Sequence, residues 1–326
     1  MKKLTVFAVL LFAISTFAFR AALLITGEVA GNAIYELAVE GAKKASQEFG
    51  FELQVVEGGY NMARWEPTLL SLAATGKYDV IVTFTEGMPK SVEKAAKLYP
   101  KQKFVLVDGV APTLPNVFSL AFKDEEMTFL AGYFAGLVTK SDMPGANPDL
   151  KVGLIAGDIY PAMVNKMKPA YERAAKMVDE RIEVVFSVVG SWADPAKGAE
   201  LARAQFSQGV DVILLICGGS GMGAIQTAKQ MGKYVIGVDA NYISVAPGTI
   251  LACALKKIDR AVYDVLKRAY LNSLPYGTVE IWGVKEGAIS FTFDDENYKK
   301  FVPEYIQKEM IRVYQDLVEG KISALP

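Results

Sequence analysis

The chain has 326 residues, 52% of them hydrophobic, with 35 Lys and Arg against 36 Asp and Glu and no His. That length and apolar content suit two globular domains with packed cores, and the near cancellation of charge leaves no general field to draw in nucleic acid. The absence of His removes imidazole relays, Ser-His-Asp triads and the common zinc sites together, so enzyme chemistry would fall to carboxylates, Lys or a cofactor.

In chain order, residues 1–18 (MKKLTVFAVLLFAISTFA) join a basic start, an apolar stretch and a small-x-small pattern at Thr16, Phe17 and Ala18. This pattern predicts a secretory signal peptide cut near Ala18. An uncleaved anchor is the alternative, but Leu4 to Phe19 falls short of the roughly 20 apolar residues of a span. No Cys follows the stretch to carry a diacyl anchor. The mature chain is therefore expected to be soluble, in a periplasm or at the outer face of the cell membrane.

From Arg20 onward, apolar runs recur at Arg20 to Thr26, Phe51 to Val56, Asp79 to Phe84, Lys103 to Asp108, Lys151 to Ala156, Ile182 to Val188, Val210 to Ile216 and Tyr234 to Val238. They are rich in Val, Ile and Leu with little alternation, as in strands covered on both faces. Amphipathic stretches such as Ala33 to Phe49, Ser91 to Leu98, Pro195 to Phe206 and Ser220 to Met231 lie between them. The alternation predicts an α/β fold with parallel sheets wound on both sides by helices. After Val117 to Phe122 an apolar helix, Glu125 to Thr139, leads into the loop SDMPGANPD, and a second series starts at Leu150. Two lobes follow, with the division near Phe122. Cys217 and Cys253 each sit in an apolar run and read as buried thiols, with a disulfide as the alternative.

Between Val188 and Asp259 four strand ends carry groups a small polar ligand could use: Trp192 in GSWADPAKG, Gly218 and Gly219 in CGGSGMG, Asp239 in IGVDAN and Lys256 in LACALKKID. In open parallel sheets, ligands sit beyond such strand ends, near helix N-termini. Each residue also has a purely structural reading. Trp192 could plug a core, Asp239 and Lys256 could form a hinge ion pair, and the glycines could serve only a tight turn. CGGSGMG lacks the spacing and the Lys-Ser/Thr of a phosphate-binding loop, and Asp194 reads first as a cap for the helix begun by Pro195.

The segments YDVIVTF with EKAAKLYPKQKFVLVDG, NVFSLAFKDEEMTFLAGYFAGLVTKS, VGSWADPAKGAELARAQFSQGVDVILLICGGSGMG, and GKYVIGVDAN with ILACALKKIDRAVYDVLK stand in one order over most of the mature chain. In that order they resemble the basic membrane protein, or PnrA-like, substrate-binding proteins of ABC transporters. The resemblance implies a type I periplasmic-binding-protein fold, two doubly wound parallel-sheet lobes joined by a hinge. It places 20–122 plus about 250–277 in the first lobe and 123–249 plus about 278–326 in the second. It implies that Trp192 stacks on a nucleoside base, that Asp239 and Lys256 take the ribose hydroxyls, with Lys257 as a neighbouring competitor, and that Gly218 and Gly219 let backbone approach the sugar. It also implies an acid near the base edge: Glu126, with Asp124 the other candidate and favourable charge at a helix N-terminus the structural alternative.

The first-lobe loop departs from the family's S-F-N. Counting back from Leu37, Ala38, Glu40 and Gly41, Ile34 and Tyr35 stand at the Phe and Asn positions, with Asn32 close by as a substitute amide. Thr85 and Glu86 face the same cleft by topology, with roles unassigned. The implied function is an exported receptor that captures a purine nucleoside (inosine, guanosine or adenosine) and delivers it to a permease and ATPase. It would be a monomer, without metal, cofactor or nucleic acid. The alternatives are a riboflavin receptor of the same family and, from a different class, a nucleoside hydrolase using Asp239 and Glu126, or a sensor or surface-interaction protein on the same fold.

Overall fold

The structure is a computed structural model and describes residues 19–326, so the expected signal peptide lies outside the described residues. The apolar runs become short strands, and the amphipathic stretches become the helices that cover them. The first lobe begins β1 (Arg20–Ile25), α1 (Ala33–Phe49), β2 (Glu52–Glu57), α2 (Trp65–Ala74), β3 (Val80–Phe84), α3 (Pro89–Leu98), β4 (Lys103–Val107) and β5 (Val117–Phe122). The chain then crosses into α4 (Asp124–Thr139), β6 (Lys151–Ala156), α5 (Lys168–Val178), β7 (Glu183–Val188), α6 (Pro195–Ser207), β8 (Val210–Ile216), α7 (Gly221–Met231), β9 (Tyr234–Asp239) and β10 (Ile250–Lys256). It ends with α8 (Ile258–Tyr270), β11 (Thr278–Trp282), β12 (Ile289–Phe291), α9 (Glu296–Phe301) and α10 (Glu304–Val318).

Each lobe holds a 6-stranded sheet, ordered β2-β1-β3-β4-β5-β11 and β7-β6-β8-β9-β10-β12. The two orders are equivalent, and every pairing is parallel except β10 with β12. In this winding the strand order reverses between β1 and β3 and between β6 and β8. The crevice at such a reversal is where open α/β sheets bind ligands. Both faces of the central strands are covered: β3 and β8 are buried along their whole length.

The sheet pairing moves two strands across the expected lobe boundary. Segment 250–277 was expected to belong to the first lobe, but β10 lies in the second sheet between β9 and β12. Its fully apolar start finds a two-sided burial site there, and the chain crosses only after Lys256. Helix α8 then packs on α1, so closely that Gly41 meets the backbone of Asp259 and leaves no room for a Cβ. Segment 278–326 was expected in the second lobe, but β11 adds to β5 at the edge of the first sheet, and only β12 and the last helices return. The hinge thus has three strands. Lys123 N donates to Trp282 O at 2.9 Å, and Lys257 N donates to Ala288 O at 2.8 Å.

Cys217 and Cys253 are free, buried thiols, and burial pushes both up to about 12. Among the described residues no helix is long and apolar enough to cross a membrane.

Candidate functional site

Three of the strand ends facing the cleft are held in the left-handed backbone region without glycine. Thr85 follows β3 with φ 75°, Asp108 follows β4 with φ 61°, and Asp239 ends β9 with φ 69°. Asp tolerates this conformation through local hydrogen bonding, whereas for a β-branched Thr it is an outlier. Strain of this kind gathers where backbone geometry is fixed for function. At β4 and β9 it turns a carboxylate away from the sheet at the point where the strand stops.

Those carboxylates converge on Lys256, the last residue of β10, which is 5% exposed. Its Nζ lies 3.0 Å from Asp108 Oδ1, 3.0 Å from Asp124 Oδ1 and 3.7 Å from Asp239 Oδ1. Asp108 comes from the first lobe, Asp239 from the second, and Asp124 opens α4 directly after the first crossing. Burial by itself would lower the lysine, but the charges of Asp108, Asp124 and Asp239 outweigh it and hold the ammonium well above its ordinary range. Burial raises Asp124 from an ordinary 3.8 to about 7, against the pull of Lys256. Asp239 is raised as well, by burial first, and again Lys256 opposes the shift. Three acids facing one cation leave acceptor oxygens unused by the lysine. Such oxygens suit a ligand that brings hydroxyl donors.

The aromatic part lies at the reversal of the second sheet. Trp192, in the loop after β7, rests on Gly157 at the end of β6 and beside Gly218 after β8, and a Cβ on Gly157 would strike the indole. Ser220 fixes this loop: its hydroxyl donates to Ser191 O at 2.9 Å and accepts from Asp194 N at 2.8 Å, and its amide donates to Trp192 O at 3.3 Å. Asp194 caps α6, accepting from Lys197 N at 2.9 Å. Gly218 is exposed and Gly219 half-buried, so backbone is open to the cleft here. Tyr160, in the loop after β6, lies with its ring centroid 6.2 Å from that of Trp192.

The first lobe contributes a polar wall. Thr26 and Thr85 meet at the β1/β3 reversal with hydroxyl oxygens 3.5 Å apart. Tyr35 donates to Thr26 O at 3.2 Å and lies 3.0 Å from Thr26 Oγ1. Its ring is 6% exposed, and burial, more than its neighbours, pushes the phenol up to about 12. Ile34 is half-buried against the core, and Asn32 directs its amide to Tyr60 Oη at 3.4 Å. Glu86 reaches across the cleft and accepts from Ala162 N of the second lobe at 3.4 Å.

Of the sequence-predicted residues, the structure brings Asp239 and Lys256 together, and it sets Trp192 beside Gly218. Asp124, rather than Glu126, stands at Lys256. Glu126 is 8% exposed and serves the hinge. Its carboxylate accepts from Val284 N at 2.7 Å and pairs with Lys123 at 3.2 Å. Positions two apart on a helix face nearly opposite ways, so only one of the two acids can line the cleft. Lys257 lies outside the cluster and opens α8. Asp108 and Tyr160 were missed. The Asp108 segment, FVLVDG, repeats the apolar-run-then-Asp pattern of YVIGVDAN, and Tyr160 in LIAGDIYP is a strand-end aromatic like Trp192. Among the described residues no group of acids, Cys or His has the arrangement of a metal site.

Two equivalent α/β lobes joined by a three-stranded hinge form a fold that solute-binding proteins share. A crystal structure of an ABC transporter solute-binding protein from Aeropyrum pernix K1 shares the fold with a TM-score of 0.85 at 22% identity, over 94% of this chain and 92% of that one. The chain belongs to the family described as ABC transporter substrate-binding protein PnrA-like, which it matches over residues 18–323. It is 28% identical over 311 residues to basic membrane protein A1 of Borrelia garinii subsp. bavariensis, covering 93% of this chain and 87% of the relative. It is 27% identical over 307 residues to the ABC transporter nucleoside-binding protein BmpA of Lactococcus lactis subsp. cremoris, covering 87% and 83%. Proteins of this kind bind a small molecule outside the cytoplasm and work with a permease and ATPase.

Proposed function

We propose that this chain captures a purine nucleoside between its lobes and passes it to the permease. The observation that carries the reading is the pairing of the Lys256 cluster with Trp192 across one cleft. Vicinal ribose hydroxyls donate to the carboxylate of Asp239 and accept from the ammonium of Lys256, while Asp108 and Asp124 offer further acceptors. The flat base lies along Trp192, a contact tolerant of base identity and worth about 1–3 kcal/mol. Gly218 and Gly219 admit the sugar to the backbone. The name of the Lactococcus lactis relative, a nucleoside-binding protein, supports the ligand class. In this reading residues 1–18 direct export and the remainder acts as a monomer outside the membrane.

Hinge closure brings the first-lobe Asp108 to the second-lobe Lys256, so a ligand that satisfies both favours the closed form. No poised base or nucleophile is required for reversible capture. Calorimetric titration with inosine, guanosine, adenosine and riboflavin tests the reading. We expect heat with at least one purine nucleoside and a change in tryptophan fluorescence. Heat with riboflavin alone would move the ligand to a flavin, and silence with all four would defeat the proposal. Free hypoxanthine accumulating from inosine would point instead to a hydrolase.

A further inference from the structure

We propose that Tyr160 is a second ligand-contacting ring of the cleft and sets its preference for a bicyclic base. The inference rests on the nucleoside reading above and names the residue that sharpens it.

Tyr160 occupies the loop directly after β6, on the same sheet reversal as Trp192. The two rings lie 6.2 Å apart and are inclined by 44°, neither parallel nor perpendicular. Trp192 rests on Gly157 and Gly218, so Tyr160 makes a flank beside the indole. Its hydroxyl donates to Met167 Sδ at 3.4 Å, which ties the ring to the π-turn Met163–Met167 ahead of α5. Such turns are rare and recur at functional sites. Two residues on, Ala162 N donates to the first-lobe Glu86 at 3.4 Å, so the loop also meets the opposite lobe.

Burial is the main cause that holds the Tyr160 phenol far above its ordinary value, and the charges of Asp124, Lys256, Asp108 and Asp239 all act on it. In the nucleoside reading, a ring next to the indole flanks the base that lies along Trp192. The first lobe offers little there. Ile34 is aliphatic and packed on the core, and Tyr35 is buried with its hydroxyl committed to Thr26. The flank that the first-lobe loop leaves open is filled from the second lobe. A bicyclic base reaches both rings, whereas a single-ring pyrimidine on Trp192 reaches less of Tyr160.

The test titrates inosine and uridine into the full chain and into its Tyr160→Ala, Tyr160→Phe and Tyr60→Ala variants. Tyr160→Ala should weaken inosine by about 10-fold and uridine by about threefold or less, narrowing the ratio between them. Tyr160→Phe keeps the ring and should keep the ratio. Equal weakening of both nucleosides by Tyr160→Ala would make the ring a mere support for Trp192 and overturn the proposal. So would unchanged affinities, or a ratio narrowed by Tyr60→Ala and not by Tyr160→Ala. If the unsubstituted chain binds neither nucleoside, the nucleoside reading falls and takes this inference with it. If only the Tyr160 variants behave unexpectedly, that reading stands and this inference alone is lost.

Discussion

At the charged end of the cleft, Lys256 is met by acids from the first lobe, the second lobe and the crossing between them. At the aromatic end, Trp192 and Tyr160 both stand on second-lobe loops, and the neighbouring contact with the first lobe is the bond from Ala162 to Glu86. The charged end is coupled to the hinge and to buried strand ends, so altering it disturbs fold and binding together. The aromatic end is carried by loops on a rigid sheet, where residues can change without cost to the core. In the proposed reading, capture and closure belong to the first region, and choice among bases belongs to the second.

The largest test of that contrast removes the cation. Lys256→Met leaves Asp108, Asp124 and Asp239 facing one another, and unpairing a buried charge typically costs about 3–5 kcal/mol. Nucleoside affinity should fall by about 100-fold or more, with a lower denaturation midpoint. Affinity retained in calorimetry would mean the charged end is structural only.

A smaller effect concerns protons. Asp124 moves from 3.8 to about 7 in the folded chain through burial, against Lys256, so the native state binds its proton more tightly than the unfolded one. Its contribution to stability is complete below pH 3.8 and is lost as the pH rises through about 7. Asp124→Asn should therefore flatten the pH dependence of urea unfolding across that window. An unchanged slope would show that burial and Lys256 offset each other and leave this carboxyl at its ordinary value. Smallest for binding is Glu126→Ala, which strips the acceptor from Val284 N. It should lower stability by about 1–3 kcal/mol and leave nucleoside affinity unchanged. A loss of affinity would return Glu126 to the cleft.

The charged end was more legible in the sequence than the aromatic one, and for a physical reason. Asp239 and Lys256 close short apolar runs between turn signals, too short for buried helices, so they read as buried strands whose last residues emerge at the sheet's edge. Asp108 ends a run of the same kind and could have been read the same way. Choosing between Asp124 and Glu126 required the start of α4, because a shift of two residues turns a helix side chain to the other face. The lobe boundary failed for a different reason: β10 and β11 are each compatible with either sheet by composition, and only pairing decides. Tyr160 carried no spacing signal, since one aromatic in a loop is common and its nearness to Trp192 arises from the sheet order.

The most direct test of the central claim is a crystal structure of the protein grown with inosine. Ribose hydroxyls should lie at about 3 Å from Asp239 and Lys256, with the base along Trp192. Inosine bound with its base among the acids around Lys256, or absent from the cleft altogether, would contradict it.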